Sequence, residues 1–387
     1  MTDTVTEPVV HSKKRVAAID ILRGLVMLLM LVDHVRERFF YHQNVGDPMD
    51  VDATSPALFF TRISAHFCAP VFVFLTGLSA WLYAHPADKP PRSATPFLFK
   101  RGLFIIFIEV AVINWLWMGN YDTLYLQVMW AIGVSMLALS VLSALPHHWI
   151  LLLGLVIVAG HNLLDPVTFT TGEAGYTLWA ILHDRGYIWD TDSFSIKASY
   201  PVLPWIGVIL LGYAMGPVYA RTTLPARRRT ILVTLALSMW VLLIVLRTTN
   251  LYGETLPFIV HDSVMKTLMS FVNYTKYPPS LDFILLTLGG AFLVLVALEH
   301  TNNRFSQKIE LYGSAPMFFY VVHLTLLLVG YRLVLAIVGP NYGDLYAFDA
   351  VWQVWLCAAL LAVALFVPTR AFARFKHQSH HPLVKYF

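Results

Sequence analysis

Apolar residues along this chain fall into runs of about twenty, separated by short polar stretches rich in Arg, Pro and aromatic residues. A helix rising ~1.5 Å per residue needs a run of that length to cross a hydrocarbon core of ~30 Å. The pattern predicts spans at 16–35, 67–84, 102–118, 125–144, 149–163, 203–220, 229–247, 283–299, 312–338 and 351–369, the fifth being the shortest. The expected fold class is all-α: a polytopic integral membrane helical bundle of about ten transmembrane helices.

Composition strengthens this reading. Of 387 residues, 57% are hydrophobic and 13% charged, and the mean hydropathy is +0.63, too apolar for a soluble domain with an ordinary charged surface. The pI near 8.9 raises the question of a nucleic-acid partner. The basic residues are scattered through short loops instead of forming a stripe, which argues against one.

The placement of those residues reports orientation. With the N-terminus cytoplasmic, inner segments hold Lys13, Lys14 and Arg15; Lys89, Arg92, Lys100 and Arg101; Arg221, Arg227, Arg228 and Arg229; then Arg304, Lys308, Arg370, Arg374, Lys376 and Lys385. These are 17 of the 27 Lys and Arg residues, and the positive-inside rule is satisfied at each crossing.

The first apolar run follows three basic residues, as in a signal peptide. Asp20 and Arg23 interrupt it, however, and no small-residue cleavage site follows, so it is expected to persist as the first helix. Cys68 and Cys357 lie within spans and do not form a disulfide framework. With no fixed-period repeat and short loops, the expected organisation is a cytoplasmic tail (1–15), one membrane domain (16–369) and a basic cytoplasmic tail (370–387). Three longer outer segments, 36–64, 164–202 and 248–282, mix aromatic and polar residues and are expected to form short interfacial helices over the outer mouth.

Ionisable groups inside spans are costly and therefore mark function. The first helix, "IDILRGLVMLLMLVDH", carries the densest set. Asp20 and Arg23, three apart, can pair on one face. Ten residues lie between Arg23 and His34, which returns them to nearly the same face about 16 Å apart along the axis, so this helix could line a cavity from its inner third to its outer end. Asp33 points elsewhere and could orient a different group. The second span begins "TRISAHFCAP", in which Arg62 and His66 are four apart and expected at the depth of His34.

A His near neutral pKa suits general-base work, and an Arg can clamp an anion or stabilise an oxyanion. The bland alternatives are a His bonding a backbone carbonyl and a snorkelling interfacial Arg. Glu109 and His323 are the deepest of the remaining polar groups. Gln127, Trp130 and Asn162 fit interhelical hydrogen bonds better. In "FVNYTKYPPSLDF" (271–283), two prolines enforce a rigid turn into the eighth span and hold Lys276 at the outer mouth.

The blocks "AAIDILRGLVMLLMLVDHVRERFF", "FFTRISAHFCAPVFVFLTG", "YPVLPWIGVILLGYAMG", "KYPPSL" and "GSAPMFFYVVHL", in this order between about 14 and 340, resemble the bacterial membrane family grouped with heparan-α-glucosaminide N-acetyltransferase. The resemblance implies a multi-pass protein of the bacterial cytoplasmic membrane that moves an acetyl or acyl group from cytoplasmic acyl-CoA to an extracytoplasmic acceptor, a sugar or glycan. A related acyltransferase family carries an Arg and a His with ten residues between them on its first helix, as Arg23 and His34 do here. The animal lysosomal enzyme is thought to use a His after its first span, to which His42 corresponds loosely.

On this reading His34, His66, Asp33 and Arg62 are the catalytic candidates. Arg23, Asp20 and His323 are candidates for the donor side, with the Arg227–Arg229 cluster as another place to meet CoA phosphates. Lys276, Asn273 and His161 are candidates for the acceptor. No tightly bound cofactor is expected, acetyl-CoA or another acyl-CoA being the donor substrate. The expected partners are the bilayer and a small-molecule or glycan acceptor, and a homo-oligomer is compatible. The rival reading is a proton-coupled transporter or flippase. A metal site built from His34, His66, His161 and Asp33 lacks diagnostic spacing, so no metal is expected.

Overall fold

The computed structural model describes residues 7–301, 303–381, 384, 386 and 387, and the side chains of the first helix from residue 17 onward. Residues 1–6 of the expected N-terminal tail, the side chains of Lys13, Lys14 and Arg15, and Lys385 of the C-terminal tail lie outside what is described.

Helix α1 (Glu7–Phe39) runs through the middle of the bundle. Helix α2 (Pro56–Ser64) passes through a 3-10 turn (Ala65–Phe67) into α3 (Cys68–Ala84). Ser55 caps α2 by accepting from the Leu58 N–H, and Pro56 occupies the first turn, where a missing N–H is harmless. Helix α4 (Thr95–Ile108), a π-turn (Glu109–Ile113) and α5 (Asn114–Met118) form one pass, followed by strand β1 (Thr123–Leu126), α6 (Val128–Leu142), α7 (His147–Gly160) and the short α8 (Tyr176–Leu182). Then come β2 (Gly186–Asp190), β3 (Ser195–Ala198), α9 (Leu203–Ala214), α10 (Pro225–Thr249), α11 (Val264–Val272), α12 (Leu281–Leu298), α13 (Arg304–Ser314), α14 (Pro316–Val338) and α15 (Val351–Gln378).

The ten expected spans fall on helix, except that the fourth, 125–144, begins on strand β1 and becomes helical at Val128. Six segments, Pro56–Ala84, His147–Leu164, Pro225–Thr249, Leu281–Leu298, Pro316–Val338 and Val351–Gln378, are long and apolar enough to cross a membrane, and the chain is a polytopic helical membrane protein. Large apolar side chains such as Val141, Val241, Ile337, Leu360 and Val363 face outward, as lipid contact requires. Charged groups are drawn inward instead: Asp33, Arg36, Arg62 and Lys276 are all buried.

Two differences from the sequence pattern have local causes. The ninth span is broken into α13 and α14, because Pro316 lacks an N–H and its ring would clash with a preceding helical turn. The outer segments supply the expected short helices α2, α8 and α11, but 164–202 also supplies β2 and β3, which join β1 from the start of the expected fourth span in a three-stranded sheet of order β1-β3-β2, with β1 parallel and β2 antiparallel to β3. Runs of four or five residues sharing no face with a core leave little periodicity to read.

Helix α1 packs against α13 at backbone distance. A Cβ on Gly24 would strike the Ile309 carbonyl, and one on Gly313 would strike the Asp20 carbonyl. These two glycines let the helices approach closely enough for Arg23 to reach the Gly313 carbonyl.

Candidate active site

A cavity of about 1090 Å³ extends along α1 from Arg23 to His34 and beyond. At the Arg23 end its wall includes Ser79, Tyr83, Arg101, Ser314 and Lys376; at the His34 end it includes Asp33, Arg62, Asp47 and Lys276. Between them, Met30, Phe72, Ile105, Ile132 and Met136 make an apolar middle. The expectation that the first helix lines a cavity from its inner third to its outer end has this form in the structure.

The tautomers at the His34 end follow from the acceptors. His323 Nδ1 lies 2.8 Å from the Phe319 carbonyl oxygen, which can only accept, so Nδ1 carries the proton and Nε2 of the neutral ring is an acceptor. His34 Nδ1 lies 2.7 Å from that Nε2 and must donate to it. His34 Nε2 is left with a free lone pair and no partner among the described residues, on a ring that lines the cavity. A carbonyl on α14 thus sets the proton of His323, and His323 sets that of His34, as a carboxylate does in a hydrolase triad.

The His34 ring is held edge-on by Trp117, with centroids 4.9 Å apart, and by Tyr320 at 5.8 Å. Trp117 is placed by the π-turn. The Asn114 amide donates to the Glu109 carbonyl at 2.9 Å and to the Tyr125 carbonyl at 3.0 Å, fixing the rotation of α5 against β1. Arg38 donates to the carbonyls of Leu116 and Trp117, closing the free end of the same short helix.

Asp33 faces away from His34. Its Oδ1 accepts from Arg36 Nε at 2.9 Å and its Oδ2 from Arg62 Nη1 at 2.6 Å, and Arg36 also reaches Glu37 at 3.1 Å. A carboxylate bonded by two guanidinium groups can be buried because its charge is neutralised and its lone pairs are used. Asp33 therefore orients the cationic wall and makes no contact with the imidazole.

His66 does not share the face of Arg62. The chain tightens into the 3-10 turn at Ala65, the i,i+4 relation fails, and His66 ends fully buried against Phe283, off the cavity wall and with neither ring nitrogen partnered among the described residues. His161 is also away from the cavity. Its Nε2 lies 2.8 Å from the Pro279 carbonyl and its Nδ1 faces the Ile157 and Val158 carbonyls, so the ring bridges the end of α7 and the proline turn. Asn273 makes a two-way latch with the Met49 backbone, at 3.0 and 2.6 Å. His42 stacks on Tyr342 and does not line the cavity.

Lys276 does line it. Its backbone N–H donates to Asp47 Oδ2 at 2.9 Å. Glu254 accepts from the Thr275 N–H and hydroxyl and from the Ser280 hydroxyl, so the turn presenting Lys276 is tied on both sides. Ser280 in turn caps α12 by accepting from the Phe283 N–H at 3.1 Å.

At the other end, Arg23 Nη1 bonds Asp20 at 2.6 Å and the Gly313 carbonyl at 3.1 Å, and Nη2 bonds Ser79 Oγ at 3.2 Å. Asp20 supports Arg23 and is not on the cavity wall. The Arg227–Arg229 cluster lies elsewhere, and its central member is consumed structurally: Arg228 is buried in an ion pair with Glu299. Arg101 and Lys376, from α4 and α15, stand beside Arg23 on the wall instead. Lys376 Nζ donates to the Ser314 carbonyl at 3.3 Å.

Residues that sequence reasoning passed over are Arg36, Glu37, Asp47, Trp117, Arg185 and Tyr320, all on the wall. Arg36 and Glu37 stand two and three residues after His34 and are legible as further charge at the end of the first helix. Trp117 and Arg185 carry no local signal, since a π-turn and a hairpin deliver them. Among the described residues no three His, Cys, Asp or Glu side chains converge as a metal site would need.

No curated protein matches the chain. Residues 15–252, more than half of it, match the family described as heparan-alpha-glucosaminide N-acetyltransferase, catalytic. That stretch contains Arg23, Asp33, His34, Arg62 and Arg185, whereas Lys276 and His323 lie beyond it. This chain belongs to the heparan-alpha-glucosaminide N-acetyltransferase catalytic family, a group of membrane acetyltransferases.

Proposed function

We propose that the protein transfers an acetyl group from acetyl-CoA, bound at the Arg23 end of the cavity, to a hydroxyl or amine of a sugar or glycan at the His34 end. The observation that carries this is the free Nε2 lone pair of His34, on the cavity wall and fixed in its tautomer by His323. In the proposed orientation the Arg23 end is cytoplasmic, as the basic loops suggest. The membrane is the bacterial cytoplasmic membrane, as the sequence resemblance implies.

Arg23, Arg101 and Lys376 would meet the phosphates of the donor at that end, and the apolar middle would hold its pantetheine arm. His34 Nε2 takes the proton from the acceptor as its oxygen or nitrogen attacks the thioester carbonyl. Arg62, steadied by Asp33, faces the developing oxyanion. The intermediate then collapses: the C–S bond breaks, His34 returns the proton to the departing sulfur, and the products are an acetylated acceptor and free CoA.

Incubating purified protein with radiolabelled acetyl-CoA and a panel of amino sugars and glycans tests this. Label is expected on an acceptor with the native protein and is expected to be lost with His34→Ala; full transfer by that variant overturns the assignment. A cavity reaching both ends of the bundle also suits a transporter. Uptake of an acceptor into proteoliposomes without any acyl donor would favour that reading.

A further inference from the structure

The His34 end of the cavity holds more positive charge than its own acids use. Asp33 and Glu37 are engaged by Arg36 and Arg62. Asp47 accepts from the backbone of Lys276 through Oδ2, while its Oδ1 has no partner among the described residues. Arg38 directs its guanidinium to the Leu116 and Trp117 carbonyls, which leaves three further cations on this wall: Lys276, Arg185 and Lys197. None has a carboxylate oxygen within ion-pair distance among the described residues, and none of their side-chain nitrogens donates a hydrogen bond there.

Lys276 is the most telling. The residue is 5% exposed, yet its ammonium group finds no oxygen to donate to. Its side chain lines the cavity, where an ammonium without a protein counter-charge is a natural partner for a bound anion. The protein supplies only a ring: Lys276 Nζ lies 5.2 Å from the centroid of Tyr277, and the Arg185 guanidinium lies 4.7 Å from the same centroid. Tyr277 is itself anchored through its hydroxyl to Tyr200 at 3.0 Å. Lys197, on β3, sits over Tyr187 and is paired in register with Tyr125. Rings hold these cations in place without neutralising them.

We propose that this cluster is an anion subsite, and that the acceptor is a sugar bearing a phosphate or carboxylate group. The anion sits among Lys276, Arg185 and Lys197 while the group to be acetylated points to His34 Nε2. The apolar and aromatic wall of Tyr200, Tyr277 and Tyr125 suits a sugar face, and the cations select its charge. This rests on the acyl-transfer reading for the identity of the molecule as an acceptor; the anion subsite itself does not.

Binding to the solubilised full chain is measured with three probes: glucose, glucose 6-phosphate and glucuronic acid. At least one anionic probe is expected to bind tenfold or more tighter than glucose, with affinity falling as salt rises. Phosphate and carboxylate sources are separated by which probe gains. Lys276→Met, Arg185→Gln and Lys197→Gln are each expected to remove most of that preference. Should Lys276→Met fail to fold, the other two carry the test. Equal binding of neutral and charged probes, or an undiminished preference in the variants, overturns the proposal. Anion preference without acetyl transfer to any probe upholds the subsite and overturns the acyl-transfer reading, so the two failures are distinguishable.

Discussion

His34 and His323 lie edge to edge with ring planes 17° apart and share one hydrogen bond of 2.7 Å from Nδ1 to Nε2. The Phe319 carbonyl fixes its direction, because a ring already donating from Nδ1 can only accept at Nε2. The pair is therefore polarised from α14 toward the cavity, and the two histidines have different tasks. In the proposed reaction His34 touches the acceptor and His323 holds the His34 ring in position.

Those tasks predict different kinetics. His34→Ala should lower kcat by about 10²–10⁴-fold, the range for loss of a general base. His323→Ala should cost about 10–100-fold, as losses of supporting hydrogen bonds do, and should change the pH–rate profile while leaving the KM for acetyl-CoA unmoved. His323→Gln, which can still accept from His34, should recover part of the rate. Identical losses for Ala and Gln would show that the ring at 323 only fills space.

Asp33 should matter to folding more than to chemistry. Removing it leaves Arg36 and Arg62 buried without their shared partner, a change that typically costs about 3–5 kcal/mol. Asp33→Ala is expected to melt well below the native protein in detergent. Asp33→Asn, which keeps acceptor capacity on one oxygen, should fall between them.

The donor end can be separated from the acceptor end. Arg101→Gln and Lys376→Gln are expected to raise the KM for acetyl-CoA several-fold with little effect on the KM for the acceptor. Arg227→Gln, at the start of α10 and off the cavity wall, should alter neither. An equal effect of all three variants would remove the cluster from the donor site.

Much of this was readable from residue spacing, and the failures are physically specific. The Arg23 and His34 face of α1 follows from helical repeat alone, because the helix is regular between them. His66 was assigned to the face of Arg62 by the same rule and leaves it because a 3-10 turn intervenes. Arg228 looked like a free phosphate ligand, but its partner Glu299 lies 71 residues away and no local pattern announces the pairing. Lys276 could be placed at the mouth from its prolines, whereas its lack of a counter-ion is a property of the assembled wall.

The close crossing of α1 and α13 yields another prediction. Gly313→Ala would drive a methyl into the Asp20 carbonyl, and overpacking of this kind costs about 1–3 kcal/mol. Because Gly313 also accepts from Arg23, the variant should lose thermal stability and acetyl-CoA affinity together. Gly330→Ala, where an added Cβ meets no neighbouring atom, is the control and should lose neither.

His183 should make stability depend on pH. Burial draws its pKa down, but hydrogen bonds to Asp165 and Asp184 outweigh this and hold it above the ordinary value of 6.5. A raised pKa means that the folded state binds the proton more tightly. The stabilisation is then complete below about pH 6.5 and is lost as pH rises through the folded-state value. Melting temperatures across that window should fall with pH, and Asp165→Asn should flatten the slope. A slope unchanged in the variant would assign the effect to another group.

The apolar middle of the cavity has a consequence for the cell's energy supply. A passage polar along its whole length would let protons and ions run down the gradient across the membrane whenever it stood unoccupied. Met30, Phe72, Ile105, Ile132 and Met136 form an apolar stretch that offers an ion no polar partner to replace its hydration. The same side chains that would cradle an uncharged arm also serve as electrical insulation, so the two charged ends can face each other through the protein without short-circuiting the membrane.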